Sequence, residues 1–158
     1  MVSNIFRIFA PFFKMTNEME YSTTIIGRRH EQDLIREYYE SPKAELVAVY
    51  GRRRVGKTFL VRECFNGQFD FSFTGLFETP RSTQLSLFKK ELERYSGKKQ
   101  RKPKDWYEAF DALREYLDYL HKERIVVFLD ELPWMDTPRS GFITALEAFW
   151  NGWACARP

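Results

Sequence analysis

Gly51-Arg52-Arg53-Arg54-Val55-Gly56-Lys57-Thr58 fits the pattern G-x-x-x-x-G-K-[ST], in which a glycine-rich turn wraps a polyphosphate. Its flanks agree. Leu46-Val47-Ala48-Val49-Tyr50 before it is an apolar run of strand length, and Thr58-Phe59-Leu60-Val61-Arg62-Glu63-Cys64 after it continues as a helix. Gly51 and Gly56 allow positive φ and let the backbone approach phosphate without a Cβ in the way. Successive N–H groups then curl into an anion nest, and the following helix points its positive dipole end at the same place. In that arrangement Lys57 meets the β- and γ-phosphates, and the Thr58 hydroxyl ligates Mg²⁺. Arg52, Arg53, Arg54 and Val55 fill the variable positions. The three arginines read as a solvated basic tip, with contact to phosphate or a partner carboxylate as the alternative. A chance glycine-rich turn competes with the whole reading, but the complete pattern with both flanks argues against it.

A second stretch answers the first. Arg124-Ile125-Val126-Val127-Phe128-Leu129-Asp130-Glu131 holds five consecutive apolar residues, as expected of a strand covered on both faces, and ends in two carboxylates. Open α/β sheets bind ligands beyond the carboxyl ends of their strands, where Asp130 and Glu131 fall. Asp130 suits Mg²⁺ through water, because that ion gives up its hydration shell reluctantly. Glu131, one residue on, points another way and is placed to polarise an attacking water. Alone, the pair would read as a solvated strand end or a helix cap. After a phosphate loop it reads as the metal and water side of a nucleoside triphosphatase.

Composition sets the frame. With 158 residues, 44% hydrophobic and 30% charged, the chain has room for one core of an α/β domain. Cys64 and Cys155 have no metal spacing and make no disulfide framework, which suits buried thiols in a reducing, cytoplasmic setting. A net charge of +3 does not imply nucleic-acid binding. The local run Lys98-Lys99-Gln100-Arg101-Lys102-Pro103-Lys104 reads as a solvated loop between helices, with acidic partners or nucleic acid as the alternative. DNA as a partner is therefore open but unsupported. His30 and His121 lack neighbours that would make a site.

Residues 1–20 differ from the rest. Ile5-Phe6-Arg7-Ile8-Phe9-Ala10-Pro11-Phe12-Phe13 is too short to span a bilayer and is broken by Arg7 and Pro11. It has neither the basic start nor the cleavage site of a signal peptide, so a poorly ordered leader upstream of Met15 and Met19 is expected, without membrane attachment. From residue 21 to 158 the chain reads as an incomplete P-loop nucleotide-triphosphatase domain, running from the phosphate-loop strand to the helix after the acidic strand. A helix carries Leu34, Ile35, Tyr38 and Tyr39 and ends at Ser41-Pro42. Beyond the phosphate-loop helix, stopped by Asn66-Gly67, the alternation Phe69-Asp70-Phe71-Ser72-Phe73-Thr74 predicts a strand. Two helical stripes follow, Leu85, Phe88, Leu92 and Tyr95, then Trp106, Phe110, Leu113, Leu117 and Leu120. Leu132 to Pro138 reads as a loop, and a last helix presents Phe142, Ile143, Leu146, Phe149, Trp150 and Trp153.

Taken together, Ile26-Gly27-Arg28-Arg29, the phosphate loop and Leu129-Asp130-Glu131-Leu132-Pro133-Trp134 resemble the archaeal-type ATPases, AAA+-related proteins of a signal-transducing group. The segment Pro138-Arg139-Ser140-Gly141-Phe142, with Phe149-Trp150-Asn151-Gly152-Trp153, is similar to that family's bacterial members. The resemblance covers about residues 22–157 and implies a P-loop, three-layer α/β/α fold with a parallel sheet, ATP as ligand and Mg²⁺ as cofactor. It implies Walker-type roles for Lys57, Thr58, Asp130 and Glu131, and by analogy puts the Gly27-Arg28 turn against adenine or ribose. Relatives continue past Trp153 into a strand ending in a polar sensor residue, followed by a helical lid. That implies a sheet lacking the strand between the phosphate-loop strand and the acidic strand, with weak ATP binding and little hydrolysis. Homo-oligomer or protein contacts would then lie in regions beyond this sequence. An ATPase module, a nucleotide-controlled switch and an inert fragment are the function classes left. A small-molecule kinase is disfavoured, since no second-substrate signature appears.

Overall fold

A computed structural model describes the backbone of residues 2–9 and all of residues 25–156. The elements in order are β1 (Val2–Phe9), α1 (Arg29–Glu40), β2 (Glu45–Tyr50), α2 (Lys57–Cys64), β3 (Phe71–Thr74), α3 (Arg81–Ser96), α4 (Trp106–Tyr119), β4 (Ile125–Asp130) and α5 (Phe142–Phe149). A 3-10 turn, Leu132–Trp134, follows β4, and a π-helical turn, Trp150–Ala154, extends α5. The chain is thus α/β, with a four-stranded sheet in the order β2-β1-β4-β3.

β4 is buried along its whole length, as its unbroken apolar run requires. Its two faces feed separate cores. Val126 and Phe128 pack with Ile35 of α1 and Leu60, Val61 and Cys64 of α2. Ile125, Val127 and Leu129 pack with Phe71 and Phe73 of β3 and with the apolar sides of α3, α4 and α5. On that side Phe88, Trp106, Phe110 and Phe142 stack edge to face or tilted, the arrangement aromatic quadrupoles favour. Helix limits follow local chemistry. Asp105 caps α4 by accepting from the Glu108 amide at 2.9 Å. α5 buries Phe142, Ala145, Leu146 and Phe149, one helical stripe.

β3 and β4 run parallel, Thr74 opposite Asp130. Asp70 fastens the start of β3. Its amide donates to the Val126 carbonyl at 2.9 Å, its carboxylate accepts from the Val126 amide at 2.8 Å and from Lys122 at 2.6 Å, and its carbonyl accepts from the Tyr116 hydroxyl at 3.1 Å.

The N-terminal segment departs from expectation. Residues 2–9, read as part of a poorly ordered leader, form β1, and β1 lies between β2 and β4, antiparallel to both. The seam between β2 and β4, expected to lack a strand, is therefore occupied. The reason is hydrogen bonding: two facing strand edges carry rows of unpaired N–H and C=O groups, and an apolar segment of strand length satisfies both. The rest of the leader lies outside the described residues. Because β1 opposes both neighbours, β2 and β4 are parallel to each other, and Tyr50 and Asp130 end at the same edge of the sheet. Among the described residues no helix is long and apolar enough to cross a membrane.

Two outcomes test this packing. Asp70→Ala should lower unfolding stability by about 2 kcal/mol, because it removes a charge-assisted anchor and leaves the Val126 amide unpaired; urea titration at unchanged slope measures it. Cys64 is buried, and desolvation raises its thiol pKa from 9.0 to about 11 despite the nearby Arg36. Its neutral form is favoured in the fold, so its contribution to stability is full below pH 9 and is lost as pH rises through 11. At pH 8 iodoacetamide should therefore label the exposed Cys155 and spare Cys64 until the chain is unfolded, as peptide mass mapping would show.

Candidate functional site

The predicted phosphate loop joins β2 to α2, as its flanks require. Gly56 closes it at φ 78°, ψ 28°, a left-handed conformation that favours glycine immediately before the first helical residue, Lys57. Arg52, Arg53, Arg54 and Val55 are exposed, and the Lys57 ammonium folds back over the loop, donating to the carbonyls of Gly51 at 3.2 Å and Arg52 at 2.8 Å. Lys57 is thus held at the concave side of its own loop.

Asp130 sits at the last position of β4 and is 4% exposed, a carboxylate almost withdrawn from water. The fold supplies donors for it. The Thr58 hydroxyl at the start of α2 donates to Asp130 Oδ1 at 3.2 Å, and the Glu131 amide donates to the same oxygen at 2.9 Å. Burial raises the Asp130 pKa; the Thr58 and Glu131 hydrogen bonds oppose it, the Glu131 charge adds to the rise, and Arg62 lowers it. Residues 58 and 130, 72 positions apart in the chain, are thereby brought into direct contact.

Glu131 leaves the strand. It adopts φ 53°, ψ 46°, and its carbonyl accepts from the Trp134 amide at 3.0 Å, which starts the 3-10 turn through Pro133. Its half-buried side chain therefore does not continue the alternation of β4. The Gly27-Arg28 turn also reaches the site. Arg28, left-handed at φ 53°, donates from its guanidinium to the Val55 carbonyl. Gln32, buried one turn into α1, donates to the Gly27 carbonyl at 3.2 Å and so fixes that turn beside the loop. Sequence reasoning missed Gln32, whose only signal was a polar residue on the apolar side of its helix.

Gly51 to Thr58, Asp130, Glu131, Gly27 and Arg28 thus gather at one end of the sheet. The chain matches, over residues 26–146, the family of ATPase domains found predominantly in Archaea. It belongs to that family. No curated protein and no solved structure matches it. The family assignment carries ATP binding of the ATPase type. The site's donors suit the ion that accompanies ATP: a hydroxyl and a carboxylate, hard oxygens 3.2 Å apart, fit Mg²⁺, which takes few protein oxygens and fills its octahedron with water and phosphate. Among the described residues no cluster of three His, Cys, Asp or Glu forms a self-sufficient metal site.

The Thr58–Asp130 contact can be probed without nucleotide. Thr58→Val removes a donor from a buried carboxylate and should cost about 1–3 kcal/mol of stability, a larger loss than Thr58→Ser, which keeps the hydroxyl. Paired urea unfolding curves at neutral pH measure the difference.

Proposed function

We propose instead, because β1 fills the seam whose missing strand implied weak binding and little hydrolysis, that this chain binds ATP with Mg²⁺ in a P-loop, three-layer α/β/α domain and hydrolyses it, using the cycle as a conformational switch in a reducing, cytoplasmic setting. The observation that carries the reading is the hydrogen bond between Thr58 of the phosphate-loop helix and Asp130 of the acidic strand. It joins the two halves of the chemistry that the sequence keeps apart.

In this reading the loop amides from Gly51 to Thr58 and the N-terminus of α2 receive the phosphate oxygens. Lys57 exchanges its contacts with the Gly51 and Arg52 carbonyls for the β- and γ-phosphates. Thr58 and Asp130 hold the ion. Mg²⁺, when bound, neutralises the negative charge of the phosphates. Gly27 and Arg28, pinned to the loop through Val55, border the nucleoside end. Glu131 orients and polarises a water whose oxygen bonds to the γ-phosphorus as the bond to the bridging oxygen breaks, leaving ADP and phosphate.

Two substitutions test this. Lys57→Ala should weaken ATP binding, measured by calorimetry with Mg²⁺, by at least about tenfold. Unchanged affinity would remove the phosphate-loop assignment. Glu131→Gln should keep ATP affinity and lower phosphate release by about a hundredfold or more. A wild-type chain that binds ATP tightly and changes conformation without releasing phosphate would support a binding switch in place of a hydrolase.

A further inference from the structure

Glu131 is held in a left-handed conformation that non-glycine residues adopt uncommonly and at a cost. The support comes from the loop after β3. The Gly75 amide donates to the Asp130 carbonyl at 2.9 Å. Gly75 also packs so closely on the turn that an added Cβ would stand 2.7 Å from the Glu131 carbonyl oxygen and 2.9 Å from Met135 Cγ. The first of these contacts is backbone, which cannot swing aside as a side chain can. A second tie comes from α3. Gln84 is 1% exposed, and its amide nitrogen donates to the carbonyls of Leu76 at 2.8 Å and Trp134 at 3.1 Å, while its oxygen accepts from the Leu76 amide at 3.2 Å. One buried side chain therefore fastens the loop after β3 to the turn after β4. The Phe77 ring stands edge-on to Trp134 with centroids 4.5 Å apart and closes the outside of the same junction.

Resting on the reading of Glu131 as the water-polarising group, we propose that Gly75 and Gln84 are positioning residues that set the Glu131 carboxylate through its own backbone. Their hydrogen bonds go to Leu76, Trp134 and the backbone carbonyl of Asp130, and none goes to Gly51 to Thr58 or to the Asp130 carboxylate, so they act on turnover and not on ATP affinity. Each acts through Glu131, so neither matters once Glu131 has lost its carboxylate. Catalysis by positioning gives this leverage, because a displacement of about 1 Å costs on the order of a hundredfold in rate.

The test is a set of double-mutant cycles on phosphate release and ATP binding by the full chain. Gly75→Ala and Gln84→Met should each lower kcat by roughly tenfold or more while leaving the Kd for ATP within about twofold. In the Glu131→Gln background the same changes should produce no further fall. Phe77→Ala, an exposed ring whose loss spares the core, should give a smaller fall of about threefold and keeps the test open if the buried variants do not fold. Unchanged kcat in these variants, with Glu131→Gln itself impaired, overturns the inference alone. A loss that persists in the Glu131→Gln background, or that follows ATP affinity, assigns a structural role and also overturns it. If Glu131→Gln leaves turnover intact, or the wild type releases no phosphate, the hydrolytic reading fails. The Glu131 and Trp134 amide resonances then decide the clamp, which requires both to shift in Gly75→Ala and Gln84→Met and fails if they stay in place.

Discussion

A strand with no exposed residue can carry a carboxylate only at its end, and there only if the fold supplies hydrogen-bond donors. β4 is such a strand. Removing an ionised group from water costs several kcal/mol unless polar partners replace the solvent. For Asp130 those partners are the Thr58 hydroxyl and the Glu131 amide. Since Thr58 stands at the start of α2, the demand to solvate Asp130 also fixes the height of α2 against the strand end. Stability and site geometry therefore share one contact.

The sheet imposes a second condition. β2 and β4 do not pair with each other; β1 stands between them and pairs with both. Asn4 lies opposite both Val49 and Asp130, so the register of one strand sets where the Gly51 to Thr58 loop begins relative to the end of β4. A slip of two residues along either ladder would displace these groups by about 6–7 Å, more than the Thr58–Asp130 hydrogen bond can span. The backbone pairing of β1 and the side-chain contact across it thus enforce the same alignment by different forces.

Features written in adjacent residues were legible. The strand–loop–helix run around Gly51 to Thr58, the apolar run into Asp130 and the helical stripes of α3, α4 and α5 each rest on spacing within one element, and each falls in an element of the expected type. β1 was not legible. A short apolar run interrupted by Arg7 fits a leader, a buried strand or a surface segment equally well, and what decides is the open seam between two strands remote in sequence. Gly75 and Gln84 were silent for a related reason. A glycine after a strand and a glutamine in the first turns of a helix are ordinary in themselves, and their work is done on carbonyls some 50 residues away. Arg28 was singled out by a resemblance alone, and its bond to the Val55 carbonyl depends on folded geometry that no local pattern shows.

The conformation of Glu131 follows from the alternation of β4. Val126 and Phe128 face α1 and α2, whereas Ile125, Val127 and Leu129 face the core made with α3, α4 and α5. Asp130 shares the parity of Phe128 and turns toward Thr58. Had the strand continued, residue 131 would have shared the parity of Leu129 and driven a second carboxylate into an apolar, aromatic-lined core. A left-handed residue costs about 1–3 kcal/mol, less than burying that charge without partners. The chain therefore turns at Glu131, and the bend that keeps the charge out of the core is the same one that brings it to the end of the sheet beside Asp130.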